Sequence, residues 1–170
     1  HGPILTENLG FYIDKYNTWS SYAPEDDGVL IACASIHGNT MEAAKKLADI
    51  LTAKGAKKVV LTDLSRDDIA EAVEDAFRYD RLVLATTTYN GDVFPFMREF
   101  IESLTERNYQ KRTIGLIENG SWAATAAKVM RQLFEKSKEI TFTETTVKIM
   151  SALNEESTTQ LENLAEELCK

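Results

Sequence analysis

Within the segment Cys33-Ala34-Ser35-Ile36-His37-Gly38-Asn39-Thr40-Met41 an apolar run turns abruptly polar. The turn offers hydroxyls at Ser35 and Thr40, an amide at Asn39 and an imidazole at His37, and Gly38 lets the main chain approach a ligand closely. If a helix starts here, its unpaired N–H groups and the positive end of its dipole point at one place. Such a set suits a phosphate monoester. No Lys or Arg stands in the turn, and neither the P-loop lysine motif nor a GxGxxG motif occurs, which sets the site apart from those of nucleotide hydrolases and Rossmann dehydrogenases. Taken alone, the turn reads equally as a plain strand-to-helix connection with a Ser/Thr cap.

Two more polar turns carry aromatic residues. Thr86-Thr87-Thr88-Tyr89-Asn90-Gly91-Asp92-Val93-Phe94-Pro95 has a hydroxyl cluster able to bond a polyol chain or a ring edge, a flat face at Tyr89, and an Asn-Gly pair that tolerates positive φ. Glu118-Asn119-Gly120-Ser121-Trp122 places an indole beside small polar residues, a stacking wall for a planar ligand. Each aromatic reads singly as a packing residue too. One turn for phosphate and two with aromatics match a phosphorylated planar heterocycle, provided the fold brings them to one edge.

The elements that must do so are legible. Val29 to Ala34 is an uninterrupted apolar run, the pattern of a strand buried on both faces. Further strands are expected at Lys58–Leu61, Leu82–Ala85, Thr113–Ile117 and Val147–Met150. Helical spacing recurs at Leu9–Trp19, from Met41 through Ala44, Leu47 and Leu51 to a cap at Gly55, at Ile69–Ala76 after a Ser65-Arg66-Asp67-Asp68 capping box, from Pro95 through Leu104, at Ala127–Phe134, and from Asn154 through Leu168. This alternation predicts an α/β domain, a doubly wound five-stranded parallel sheet with helices on both faces. Ligands of such sheets sit at the carboxyl ends of strands near the switch in strand order, where all three turns fall.

The chain has 170 residues and a formal net charge of −8, which argues against nucleic acid and anionic membranes as partners. No apolar run reaches the length of a membrane span, and no signal peptide is visible, so a cytoplasmic protein is expected. Cys33 and Cys169 form no metal or redox spacing; Cys33 reads as inert core. No Ser/His/Asp arrangement or activated cysteine stands near the turns. The opening His1-Gly2-Pro3-Ile4, without Met, reads as the middle of something longer.

On the Ser35–Thr40, Thr86–Gly91 and Glu118–Trp122 turns together, the chain resembles a flavodoxin-like FMN domain over residues 28–170. It is more narrowly similar, through His1 to Ile4 and the Tyr12–Trp19 stretch, to the carboxyl-terminal domain of flavodiiron proteins, the A-type flavoproteins. That resemblance implies a strand order of 2-1-3-4-5 and makes residues 1–27 a connecting segment from a metallo-β-lactamase-like diiron domain, with His1 its last iron ligand. It implies FMN, with Ser35, Ile36, His37, Gly38, Asn39 and Thr40 around the phosphate, and Thr86, Thr87, Thr88, Tyr89, Asn90, Gly91, Asn119, Gly120, Ser121 and Trp122 around the rest. Tyr89 and Trp122 would enclose the ring, His37 would either donate to the phosphate or face solvent, and Asn90-Gly91 would offer a backbone carbonyl to the reduced ring. Asp92 and the acidic field would make the reduced ring strongly reducing. Ala123-Ala124 depart from the glycine-rich turn frequent after that tryptophan.

The resemblance further implies a rubredoxin-type or other redox donor and a diiron centre that reduces O2 or NO, reached from a second subunit in a head-to-tail pair. The iron would lie wholly in the parent domain, with none held by this segment. A stand-alone flavodoxin would lack the first two dozen residues, and an NAD(P)H:quinone oxidoreductase of this fold would carry an insertion after the fourth main strand. A phosphoacceptor receiver would need acidic residues where Ser35 and Thr86 to Thr88 stand.

Overall fold

A computed structural model describes residues 2–170; His1, the iron ligand implied by the resemblance, lies outside the described residues. The elements in chain order are α1 (Leu9–Ser20), β1 (Asp26–Ala34), α2 (Asn39–Ala53), β2 (Val59–Asp63), α3 (Ile69–Arg78), β3 (Tyr79–Tyr89), β4 (Asp92–Val93), α4 (Pro95–Thr105), β5 (Arg112–Asn119), α5 (Ala126–Leu133), β6 (Ile140–Ile149) and α6 (Glu155–Leu168). Five strands pair in parallel in the order β2-β1-β3-β5-β6. With the short β4 set aside, this is the expected 2-1-3-4-5 order.

The alternation of β1 explains the layering. Leu30, Ala32 and Ala34 point into one core with α3, α4 and α5, whereas Val29, Ile31 and Cys33 point into the other with α2 and α6. All six are fully buried, so the run has no polar face, as a central strand between two helical layers requires. Each large aliphatic side chain buried this way contributes about 1.5–3 kcal/mol. At the amino ends of the strands the buried Arg112 guanidinium donates to the carbonyls of Tyr79 (2.8 Å), Phe77 (2.6 Å) and Tyr22 (2.7 Å), tying connections at that end to β5.

Several local expectations shift. α3 starts at Ile69 directly after the predicted box, but its cap is Asp68, which accepts the Ala70 N–H at 2.8 Å, while Ser65 donates its hydroxyl to Asp63 at 2.6 Å and takes no part in capping. Asn154 and Ser157 do form a reciprocal capping box on α6. β6 begins at Ile140 rather than Val147 because its first half is a half-buried edge with polar residues interleaved, and Met150 lies beyond it, 67 % exposed. The predicted helix α1 forms, yet none of its residues is buried.

β3 runs eleven residues and turns back through Asn90 (φ 52°) and Gly91 (φ 73°) into β4. Positive φ at both central positions is the type I′ hairpin that Asn-Gly favours. On this arm Arg98 of α4 donates to both Asp92 carboxylate oxygens, at 2.6 and 2.5 Å. The Arg98 guanidinium, helped by the Val93 N–H, holds the Asp92 carboxyl below the usual aspartate range. The repulsion expected from Asp92 is therefore answered by a cation before it reaches any ligand.

Two outcomes follow from this arrangement. Burial pushes the Cys33 thiol up to about 12, so at pH 8 the native protein should release one equivalent of thiol to Ellman's reagent, from the exposed Cys169, and a second only on unfolding; two rapid equivalents in the native state would contradict the packing of β1. Because the Asp92 carboxyl is depressed on folding, its pairing with Arg98 stabilises the fold above the ordinary aspartate range and is lost as pH falls through the folded midpoint. Carboxyl 13C NMR should place that midpoint below the ordinary value of about 3.9, and Arg98→Gln should return it there.

Candidate functional site

The parallel ladders end β1, β3, β5 and β6 at one rim: Ala34 stands opposite Thr86, Thr87 opposite Asn119, and Asn119 opposite Ile149. The loops leaving these ends enclose a cleft of about 540 Å³, within the range of small-molecule sites.

From the first loop, Ser35, Ile36, His37, Asn39 and Thr40 line it. The Ser35 hydroxyl accepts the Gly38 N–H at 3.0 Å and bends the chain into α2. Gly38, the N-cap residue at φ 92°, is where only a residue without Cβ sits at ease; a Cβ there would meet nothing, so conformation rather than close approach demands the glycine. No side chain caps α2, and its first intrahelical bond runs from the Glu42 N–H to the Gly38 carbonyl at 2.9 Å. The N–H groups of Asn39, Thr40 and Met41 thus precede the ladder, at the positive end of the helix dipole. His37 is exposed at the mouth.

From the second loop come Thr87, Thr88, Asn90 and Gly91. Thr86 does not reach the cleft: it is fully buried and donates to the Ala34 carbonyl at 3.3 Å. Tyr89 also does not line it. On a hairpin arm a side chain takes one side or the other, and Tyr89 takes the side of Phe94, edge-on with ring centroids 5.6 Å apart, where it borders a separate depression with Asp92 and Arg98. The expected pair of enclosing rings is reduced to one.

That ring is Trp122, 96 % exposed at the rim of the third loop, together with Gly120 and Ser121. A Cβ on Gly120 would lie 3.1 Å from the Ala124 Cα, so the loop folds tightly on itself despite the missing glycines after Trp122. Asn119 lines the cleft but spends its side chain on the protein. Its amide donates to the Thr40 hydroxyl (3.3 Å) and the Ser151 carbonyl (3.1 Å), and its oxygen accepts the Ser151 N–H at 3.1 Å. It joins the Ser35–Thr40 turn, the Trp122 loop and the turn after β6.

Three lining residues escaped the sequence reading: Ala123, Thr125 and Ser151. Ser151 follows β6 at φ 69°, its hydroxyl 3.3 Å from that of Ser121; the rule that every parallel strand ends at the same rim was the available signal. Thr125 precedes α5, whose first residue is Ala126.

Among the residues lining the cleft there is no Lys, Arg, Asp or Glu. A phosphate here would be met by backbone and hydroxyl dipoles, and a planar ring by hydroxyls, amides and one indole. These groups fit a flavin mononucleotide. Among the described residues no group of three or more His, Cys, Asp or Glu is placed to hold a metal, and no helix is long and apolar enough to cross a membrane.

Comparison with known proteins agrees with this fold. An anaerobic nitric oxide reductase flavorubredoxin from Klebsiella pneumoniae is 21% identical over 127 residues, covering 74% of this chain and 26% of the relative. Rubredoxin oxygen:oxidoreductase from Desulfovibrio gigas superposes with a TM-score of 0.86 at 17% identity, over 95% of this chain and 39% of that one. A flavodoxin from the domain Archaea superposes with a TM-score of 0.69 at 15% identity, over 83% of this chain and 96% of its own. The chain therefore spans well under half the length of the first two. A family model described as a flavodoxin domain matches residues 30–155, and the chain belongs to the flavodoxin-domain family.

Proposed function

We propose that this chain binds FMN in the cleft and works as the electron-transfer domain of a flavodiiron-type protein, taking electrons from a rubredoxin-type donor and passing them to a diiron centre that reduces O2 or NO. The observation that carries the reading is the convergence, on one rim, of an uncapped helix start, a set of hydroxyls and an exposed indole. When bound, FMN supplies reversible one- and two-electron transfer. The protein holds and orients it. The N–H groups of Asn39, Thr40 and Met41 with the Asn39 side chain would take the phosphate, Thr87 and Thr88 the polyol or ring edge, and Trp122 one face of the ring.

Two observations favour the flavodiiron reading over a stand-alone flavodoxin. The rubredoxin oxygen:oxidoreductase and a flavodiiron protein from Giardia intestinalis superpose over 95% and 96% of this chain, whereas the flavodoxin, matched almost whole, covers 83% of it. α1 also presents Leu9, Phe11, Ile13 and Tyr16 to solvent, each more than half exposed, and an apolar helix of this kind finds its place against further protein. Residues 1–27 would then be the segment leading from a metallo-β-lactamase-like diiron domain and 28–170 the FMN domain, in a cytoplasmic protein whose iron is reached across a pair of subunits.

Apoprotein titrated with FMN should quench flavin fluorescence to a 1:1 endpoint, and riboflavin, which lacks the phosphate, should bind at least tenfold more weakly. Trp122→Ala should weaken FMN about tenfold, in line with roughly 0.5–1.5 kcal/mol for an aromatic pair plus the lost apolar contact. Absence of quenching at millimolar FMN would overturn the cofactor assignment. Equal affinity for FMN and riboflavin would overturn the assignment of the α2 start to phosphate.

A further inference from the structure

β6 is an outer strand of the sheet, paired with β5 on one side. Its residues 140–148 are mostly β-branched, a composition suited to strand pairing, and a row of open N–H groups on such an edge is a template for another strand. Here α6 answers that row. The Glu167 carboxylate accepts the Glu144 N–H at 2.7 Å with one oxygen and the Thr145 N–H at 3.0 Å with the other, and the Gln160 side-chain oxygen accepts the Lys148 N–H at 2.8 Å. The first two N–H groups are neighbours because the ladder bulges, Gly115 of β5 spanning Thr143 to Thr145 of β6.

The spacings match. Gln160 and Glu167 stand two turns apart on α6, about 10.5 Å along its axis, and Thr145 to Lys148 covers about 10 Å of extended chain. With Gln160 at Lys148 and Glu167 at Thr145, α6 runs back along the strand. Burial works against the charge on Glu167, yet bonds from Thr145 and Glu144 hold its carboxyl below the usual glutamate range, so both oxygens are acceptors at neutral pH.

We propose that α6 guards this edge, the Gln160 and Glu167 oxygens taking the place of a neighbouring strand's carbonyls, and that the surface so closed fits a second copy of this chain. Glu144, Thr146 and Lys148 border one depression beside α5 and so share a face of β6. Antiparallel pairing of two β6 strands about Thr146 sets Glu144 of each copy opposite Lys148 of the other. Both residues are exposed, and the result is two opposite-charge pairs in one twofold contact. The guard acts whether or not a cofactor is bound.

The test combines amide hydrogen exchange with sedimentation of the whole chain, in wild type and in the Gln160→Ala, Glu167→Ala double variant. In the double variant the Glu144, Thr145 and Lys148 amides should exchange at least about fivefold faster in dilute solution, the loss of one ordinary hydrogen bond each, and the chain should dimerise on concentration. Adding Lys148→Glu should abolish that dimer through like charges, and adding Glu144→Lys as well should restore it. Lys148→Glu in the wild-type background should leave sedimentation unchanged; a response there would show the edge already paired and overturn the guard. Unchanged exchange in the double variant would overturn it too. A double variant that stays monomeric, or a dimer indifferent to Lys148→Glu, would overturn the second copy as the occupant. Glu167→Gln, which keeps the shape but replaces one accepting oxygen by a donating amide, covers the case in which the double variant does not fold and is held to the same outcomes.

Discussion

The parallel register of β1, β3, β5 and β6 is the constraint on which everything else depends. Parallel ladders without large offsets end their strands at a common level, so turns remote in sequence, at Ser35, Thr87 and Asn119, become neighbours. The reversal of strand order between β1 and β3 then opens the space between the connections that leave in opposite directions. A slip of one residue in any of these pairs would turn each side chain of the strand to the other face, and the fully buried alternation of β1 between two cores leaves no tolerance for it.

Register delivers the loops to the rim; side chains lock them there. The Asn119 amide joins the Ser35–Thr40 turn to the turn after β6, and the Thr88, Thr125 and Gly91 bonds join the hairpin to the loop that carries Trp122. These polar bridges set the shape of the cleft before any ligand arrives, which lowers the ordering cost that binding must overcome. They also separate two tasks that look alike in a sequence. Asn119 and Thr86 are polar residues near strand ends, yet one is engaged in holding loops together and the other donates to its neighbour strand, while Thr87 and Thr88 border the cleft.

Much of the fold was legible because its signals are local and periodic: the apolar run of β1, the glycine after α2, Pro95 at the start of α4 and the Asn154 cap of α6 all act within a few residues. The bend from Ser35 to Thr40 and the Asn-Gly turn were legible for the same reason. What escaped depends on direction or on distant partners. Tyr89 sits in the anticipated loop, but which side of a twisted arm it occupies is decided by Phe94 packing against it. The charge of Asp92 was visible, whereas its neutralisation by Arg98 requires the hairpin to fold back onto α4. Ser151 follows a strand whose polar first half hid its length and whose end is defined only by pairing with β5.

The rim formed by these loops is the proposed seat of FMN, phosphate at the start of α2 and ring beside Trp122. Amide chemical-shift mapping during FMN addition tests it most directly. The largest shifts are expected at the N–H groups of Asn39, Thr40 and Met41 and at the Trp122 indole, with the Arg112 end of the sheet unmoved. Shifts gathered at the Arg112 end, or spread without reference to the α2 start, would contradict it.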